Sequence, residues 1–284
     1  MSGEAWTVRR AILWTTDYLE KKGADSPRTD ADLLLADALG VDRVRLLIDF
    51  DKPLLPEELA AYRQRIERRA KGEPTAYILG HRDFFGRDFL VDPRVLIPRP
   101  ETEELVQIVL RDLPQDARVL DLCAGSGCIG LTVAAEREDV KVDLVELDPG
   151  AAEVASANAA KVGVQDRCSV LVGDLFEPLE ADAAYHAIVS NPPYIPTSEI
   201  ADLSREVKME PHMALDGGED GLALVRRIAD GAASRLVPGG RLALELSLGQ
   251  PTEAVALFLA AGFDEAHTEQ DFTKRDRFLV ATRK

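Results

Sequence analysis

Asn191-Pro192-Pro193-Tyr194 directly follows a short apolar run, Ala187-Ile188-Val189-Ser190, that reads as the end of a buried strand. Two consecutive prolines each fix φ and lack an N–H, so the strand stops there in a rigid, outward-pointing shape. The Asn side chain supplies one carbonyl acceptor and one NH₂ donor, and each proline adds a carbonyl acceptor. Two such acceptors suit a planar carboxamide or amino group, with Tyr194 closing over its face. The same four residues also make an ordinary strand end with a polyproline turn. What lies upstream decides between the two.

Upstream, Asp121-Leu122-Cys123-Ala124-Gly125-Ser126-Gly127-Cys128-Ile129-Gly130 joins a strand to a helix. Glycines let backbone approach a ligand closely, and a helix N-terminus offers free N–H groups. Gly125, Gly127 and Gly130 satisfy GxGxxG, a weak signal alone because dinucleotide enzymes share it. Glu146 ends the next strand, where a carboxylate accepts hydrogen bonds from a ribose diol. Asp174, followed by Leu175, ends the third strand, where an acceptor meets an adenine amino group. Each acid alone reads as a loop cap. The ordered set, closed by the Asn-Pro-Pro-Tyr strand end, points to one crevice at the carboxyl ends of parallel strands.

The elements that hold these residues alternate from residue 117 onward. Strands are expected at Arg118–Leu122, Val142–Glu146, Ser169–Val172, His186–Ser190, Arg241–Leu246 and Arg277–Ala281. Helices are expected at Ile129–Glu136, Gly150–Val162, Gly221–Leu236 and Thr252–Ala261. That order implies an α/β fold with a doubly wound, mostly parallel sheet. Residues 4–71 read as helices instead, with Gly40 stopping one and Pro56 starting another. One face of the latter carries Arg63, Arg65, Arg68 and Arg69, a basic surface open to solvent or a protein partner. Tyr77–Gly80 and Phe84–Val91 read as the strands of a β-hairpin linker. Pro98 and Pro100 stiffen the entry to a helix at Glu103–Arg111. The domains are therefore 1–73, 74–98 and 99–284. Phe84, Phe85 and the Pro98–Glu103 segment either wall the pocket or pack between hairpin and sheet.

Composition excludes several classes. No run approaches the length of a membrane span, and no apolar signal segment follows the N-terminus. The three cysteines, Cys123, Cys128 and Cys168, lack metal-ligand spacing, so no metal site is expected, and a cytoplasmic protein is. The net charge of −16 is uneven: residues 87–284 carry 20 Lys and Arg against 35 Asp and Glu. An acidic half of this kind is poorly suited to tracking a phosphate backbone.

With these motifs in place, the chain resembles the class I S-adenosylmethionine-dependent methyltransferases that act on planar nitrogens. Leu96-Ile97-Pro98-Arg99-Pro100-Glu101-Thr102-Glu103, Gly80-His81-Arg82-Asp83-Phe84 and Glu210-Pro211 with Gly218 and Asp220-Gly221-Leu222 resemble one branch, the peptide chain release factor N5-glutamine methyltransferases. It departs from them at Cys123-Ala124, where members often carry Gly-Thr. The resemblance implies a Rossmann-like catalytic domain, an N-terminal helical bundle that docks substrate, and S-adenosylmethionine as cofactor. It implies cofactor contacts from Cys123, Ala124, Gly125, Ser126, Gly127, Glu146, Asp174, Leu175 and Asn191. Asn191, Pro192 and Tyr194 would be catalytic, and Asn191 to Tyr194, Pro193 included, would hold the substrate glutamine. The implied partner is a class-1 release factor carrying a Gly-Gly-Gln loop, methylated by a monomeric enzyme of translation termination, with no nucleic acid or membrane partner. The alternatives are a ribosomal-protein glutamine methyltransferase and an adenine-N6 nucleic-acid methyltransferase. A nicotinamide dehydrogenase accounts only for the glycines.

Overall fold

The structure, a computed structural model, describes residues 5–284; the expected start of the helical region at residue 4 lies outside them. Chain contacts divide it into two units. One ends at Gly80 and takes in Ser204–Met209; the other comprises His81–Leu203 and Glu210–Lys284.

The first unit is helical: α1 (Val8–Lys21), α2 (Pro27–Leu39), α3 (Arg43–Ile48), α4 (Pro56–Ala70) and α5 (Thr75–Leu79). On α1, Val8, Ile12, Thr15 and Leu19 recur at helical spacing and are all buried. Val8, Ile12 and Leu19 meet Leu34 and Leu35 of α2 and Tyr62 and Ile66 of α4 in one core. Pro27 starts α2, and Gly40 ends it in the left-handed conformation at φ 64°, the usual asymmetry of proline at helix starts and glycine at helix ends. Two expectations are corrected here. Tyr77-Ile78-Leu79 are helical, because Pro74 opens α5 and left-handed Gly80 closes it. Three of the four arginines of α4 are paired and do not form a free basic face. Arg68 pairs with Glu73, Arg65 with Asp37, and buried Arg69 with Asp30 at 2.8 Å and with Glu206. Burying a guanidinium requires such partners.

In the second unit, β1 (His81–Phe84) and β2 (Arg87–Leu90) form an antiparallel hairpin. There follow α6 (Thr102–Arg111), β3 (Arg118–Leu122), α7 (Cys128–Glu136), β4 (Lys141–Glu146), α8 (Pro149–Val162), β5 (Cys168–Val172) and β6 (Tyr185–Ser190). The chain ends with α9 (Ala223–Arg235), β7 (Leu236–Glu245), α10 (Gln250–Ala260), β8 (Glu265–Gln270) and β9 (Asp276–Thr282). The main sheet has the order β5-β4-β3-β6-β7-β9-β8, parallel through the first five and antiparallel at the β9 and β8 edge. It is therefore mixed. β8 escapes sequence reading because it is a polar edge strand, Glu-Ala-His-Thr-Glu-Gln, with little apolar alternation to betray it.

Both faces of the sheet are covered, as its strands require. In β3, Val119 packs into a core with α6 and α7, while its neighbour Leu120 packs into a second core with α9 and α10. The chain winds from β3 outward to β4 and β5, then returns to β6 on the other side of β3. The β3–β6 boundary is thus the switch point at which open parallel sheets form a crevice. No helix among the described residues is long and apolar enough to cross a membrane.

Candidate active site

The strand ends expected to converge do so. A cavity at the carboxyl ends of β3, β4 and β6 is lined by Cys123, Ala124, Gly125, Ser126, Glu146, Asp174, Leu175, Asn191 and Pro193. Pro98, Arg99 and Thr102 join that lining, whereas Phe84 and Phe89 are buried together with rings 6.0 Å apart. The proline-rich segment therefore walls the pocket and the hairpin aromatic packs. Gly127, Pro192 and Tyr194 do not line this cavity. Gly127 caps α7 at φ 78°, where a Cβ would stand 2.8 Å from Leu131, so its place is structural. A second cavity, of about 470 Å³, opens at the start of β7 around Arg111, His186 and Arg241 and holds none of these residues.

Glu146 organises the floor. Its Oε2 accepts from the Gly125 N–H at 2.8 Å and its Oε1 from the Asp148 N–H at 3.0 Å. Each oxygen keeps a further lone pair for a diol. A Cβ on Gly125 would meet nothing within 4 Å, and Gly125 adopts φ 54°. This loop therefore offers open backbone to a ligand. Cys123 and Leu175 adopt left-handed φ of 58° and 49°. That backbone is unfavourable for residues with side chains and recurs at ligand clamps. Asp174 accepts from Arg227 at 2.8 Å. The set of a glycine loop, a strand-end carboxylate and a second acid fits an adenosyl ligand better than a metal. No cluster of three His, Cys, Asp or Glu among the described residues is placed to hold a metal ion.

On the far side of the switch point, Ser190 donates to the Leu122 carbonyl at 2.6 Å and locks the end of β6 to β3. Asn191 Nδ2 then donates to Thr102 Oγ1 at 3.2 Å, and that hydroxyl donates to Glu245 Oε2 at 2.7 Å. Arg277 reaches Glu245 Oε1 at 3.0 Å and the Tyr194 hydroxyl at 3.1 Å. Tyr194 is pushed up to about 12, by burial first and then by the Glu245 charge. Burial raises Glu245 as well, against the opposing pull of Thr102 and Arg277. Behind Tyr194 the turn around Gly217 comes so close that a Cβ there would stand 2.8 Å from the Tyr194 Cα. Only glycine fits at that position. Glu210 accepts from the Ile97 N–H at 3.0 Å and pairs with Arg99 at 2.5 Å, tying two distant sequence motifs together.

The comparisons bear on this geometry. Residues 10–80 match the family model of the PrmC N-terminal domain, and residues 101–207 match the methyltransferase small domain. A release factor glutamine methyltransferase of Geobacter sulfurreducens is 47% identical over 97% of this chain and 96% of its own. The chain belongs to that family. A second release factor glutamine methyltransferase, from Rhodopirellula baltica, is 39% identical over 96% of this chain and 95% of its own. In fold, the chain is similar to a Thermus thermophilus 16S rRNA methyltransferase solved with AdoMet and guanosine. That likeness has a TM-score of 0.53 at 20% identity over 72% of this chain and 50% of the other.

Two groups in this family member have consequences that can be measured. Asp121, fully buried beneath the glycine loop, accepts from the Gly130 N–H at 2.8 Å, and its other oxygen has no partner. Burial pushes it up to about 7, and the Glu146 charge adds to the rise. A carboxyl held protonated more firmly in the folded state than in the unfolded one loses stability as pH rises from about 4 to about 7, then levels off. The bound on that loss is about 4 kcal/mol. Asp121→Asn is expected to flatten the fall in Tm between about pH 4 and about pH 7. An unchanged slope would assign the pH dependence elsewhere.

The three thiols are also expected to be inert. Cys123, Cys128 and Cys168 are each pushed by burial to about 12. Because the thiolate is the reactive form, alkylation of the native protein near neutral pH should run about 10³-fold slower than in denaturant. Rapid alkylation of native Cys123 would contradict this environment.

Sequence reading missed Glu245 and Arg277, and it quoted Thr102 only as part of a motif. Glu245 ends β7 and Arg277 lies in β9, the arginine 83 residues along the chain from its partner Tyr194. The available hint was a carboxylate, Glu245, within the otherwise apolar stretch Leu242–Leu246 of a central strand.

Proposed function

We propose that this protein transfers a methyl group from S-adenosylmethionine to the side-chain amide nitrogen of the glutamine in the Gly-Gly-Gln loop of class-1 peptide chain release factors. The observation that carries the reading is Asn191 on the wall of the same cavity as the glycine loop, Glu146 and Asp174. Family membership over nearly the whole chain supports the substrate class.

Glu146 would hold the ribose hydroxyls, Asp174 the adenine amino group, and residues 123–126 the rest of the cofactor. The bound cofactor supplies an electrophilic methyl on a sulfonium. An amide nitrogen is a poor nucleophile because its lone pair is delocalised into the carbonyl. Asn191 Oδ1 and the Pro192 carbonyl accept the two N–H bonds of the substrate amide, which aims the nitrogen at the cavity and favours positive charge developing there. Tyr194 packs beside the amide plane. The acidic second half of the chain favours a protein substrate over a nucleic acid.

The test is transfer of labelled methyl to a purified class-1 release factor, with a variant carrying another residue in place of the loop glutamine as control. Label on the native factor alone is expected. Equal label on both would refute the target, and label on a ribosomal protein instead would favour the alternative.

A further inference from the structure

Asn191 can serve as an acceptor only if its amide is turned the right way, because rotation by half a turn would present NH₂ to the substrate instead. The decision is made by the hydrogen-bond chain behind the Asn191 amide, Thr102 and then Glu245. Glu245 and Thr102 are both buried. The Thr102 hydroxyl carries one proton and donates it to Glu245 at 2.7 Å. An ionised carboxylate can only accept. What the hydroxyl then presents to Asn191, 3.2 Å away, is a lone pair. Only the NH₂ side of the amide satisfies a lone pair. The carbonyl oxygen is thereby left for the cavity.

Arg277 keeps Glu245 in that accepting role. Its guanidinium pairs with Glu245 Oε1 at 3.0 Å, with side chains only 17% and 0% exposed. Neither buried charge is left uncompensated. The same guanidinium donates to the Tyr194 hydroxyl at 3.1 Å and lies 5.6 Å from the Tyr194 ring centroid. One buried acid therefore orients both side chains that flank the proline pair.

Resting on the methyl-transfer reading above, we propose that Thr102 and Glu245 are positioning residues that set the polarity of the Asn191 amide, with Arg277 as the counter-ion that keeps Glu245 an acceptor. A packing role alone would require only a group of threonine's shape at position 102. The hydrogen-bond role requires its hydroxyl.

Thr102→Val and Thr102→Ser separate the two, measured beside the wild-type enzyme by labelled methyl transfer to release factor. Thr102→Val keeps the volume and loses the relay, so kcat should fall about 10- to 100-fold, as misplacement of a catalytic group does. The KM for release factor and the Kd for cofactor should stay within about 2-fold, because valine keeps threonine's shape on the cavity wall and Glu146, Asp174 and the glycine loop are unchanged. Thr102→Ser should recover most of the loss. A valine variant at wild-type kcat overturns the proposal, as does a serine variant as slow as the valine one. A second readout needs no substrate. In ¹⁵N-labelled enzyme, the Asn191 side-chain amide, identified by its disappearance in Asn191→Asp, should shift in Thr102→Val and hold in Thr102→Ser. An Asn191 amide signal indifferent to Thr102→Val refutes the relay even if wild-type enzyme were found to methylate something else. Failure of wild-type enzyme to label release factor refutes the functional reading instead.

Discussion

Asn191→Ala is expected to lower kcat for release factor methylation by about 10²- to 10³-fold, the penalty typical of removing one preorganised group from a developing charge. Cofactor affinity should change little, because Glu146, Asp174 and the glycine loop keep their partners without Asn191. The deletion removes the acceptor that holds one substrate N–H, so the amide nitrogen is neither aimed nor relieved of its delocalisation. Isothermal titration with cofactor, set beside single-turnover methyl transfer, distinguishes the two effects. Weakened cofactor binding with unchanged single-turnover rate would move Asn191 from the chemistry to the cofactor site. Near-normal turnover would remove it from both.

Glu146→Ala should have the opposite signature. Binding of S-adenosylmethionine is expected to weaken about 100-fold, since hydrogen bonds to a charged group contribute about 1.5–3 kcal/mol each. The same carboxylate satisfies the Gly125 and Asp148 N–H groups, so the loop loses its anchor together with the diol. Saturating cofactor should restore much of kcat. Glu146→Gln is the informative intermediate, because an amide oxygen can accept from one of those N–H groups but not both. Calorimetric Kd values ranked wild type, Gln, Ala would support this account. A Gln variant as weak as Ala would mean that the charge alone matters, and unchanged affinity in both would place the ribose elsewhere.

The legible part of this site is the part written in consecutive residues. Asn191-Pro192-Pro193-Tyr194 and the loop from Asp121 to Gly130 each sit at one strand end, and proline and glycine declare their backbone shapes locally. Apolar runs locate β3, β4, β6 and β7, because central strands bury both faces. Edge strand β8 has no such signature, and α5 reads as a strand because five residues are too few for a helical period to show. Arg65, Arg68 and Arg69 of α4 look like a surface until their acidic partners, up to 137 residues away, are placed beside them.

From its sequence alone this protein is determined to be a doubly wound α/β chain with a glycine loop, two strand-end acids and a rigid Asn-Pro-Pro-Tyr stop, preceded by helices. Those follow from local backbone preference and periodicity, which are properties of neighbours in the chain. Only the tertiary structure decided that Pro98, Arg99 and Thr102 wall the cavity while Phe84 does not, and that Thr102, Glu245 and Arg277 stand behind Asn191 and Tyr194. Hydrogen bonds and ion pairs between α6, β7 and β9 depend on sheet order and register, here Glu245 opposite Phe278. No periodicity within any one segment encodes that alignment.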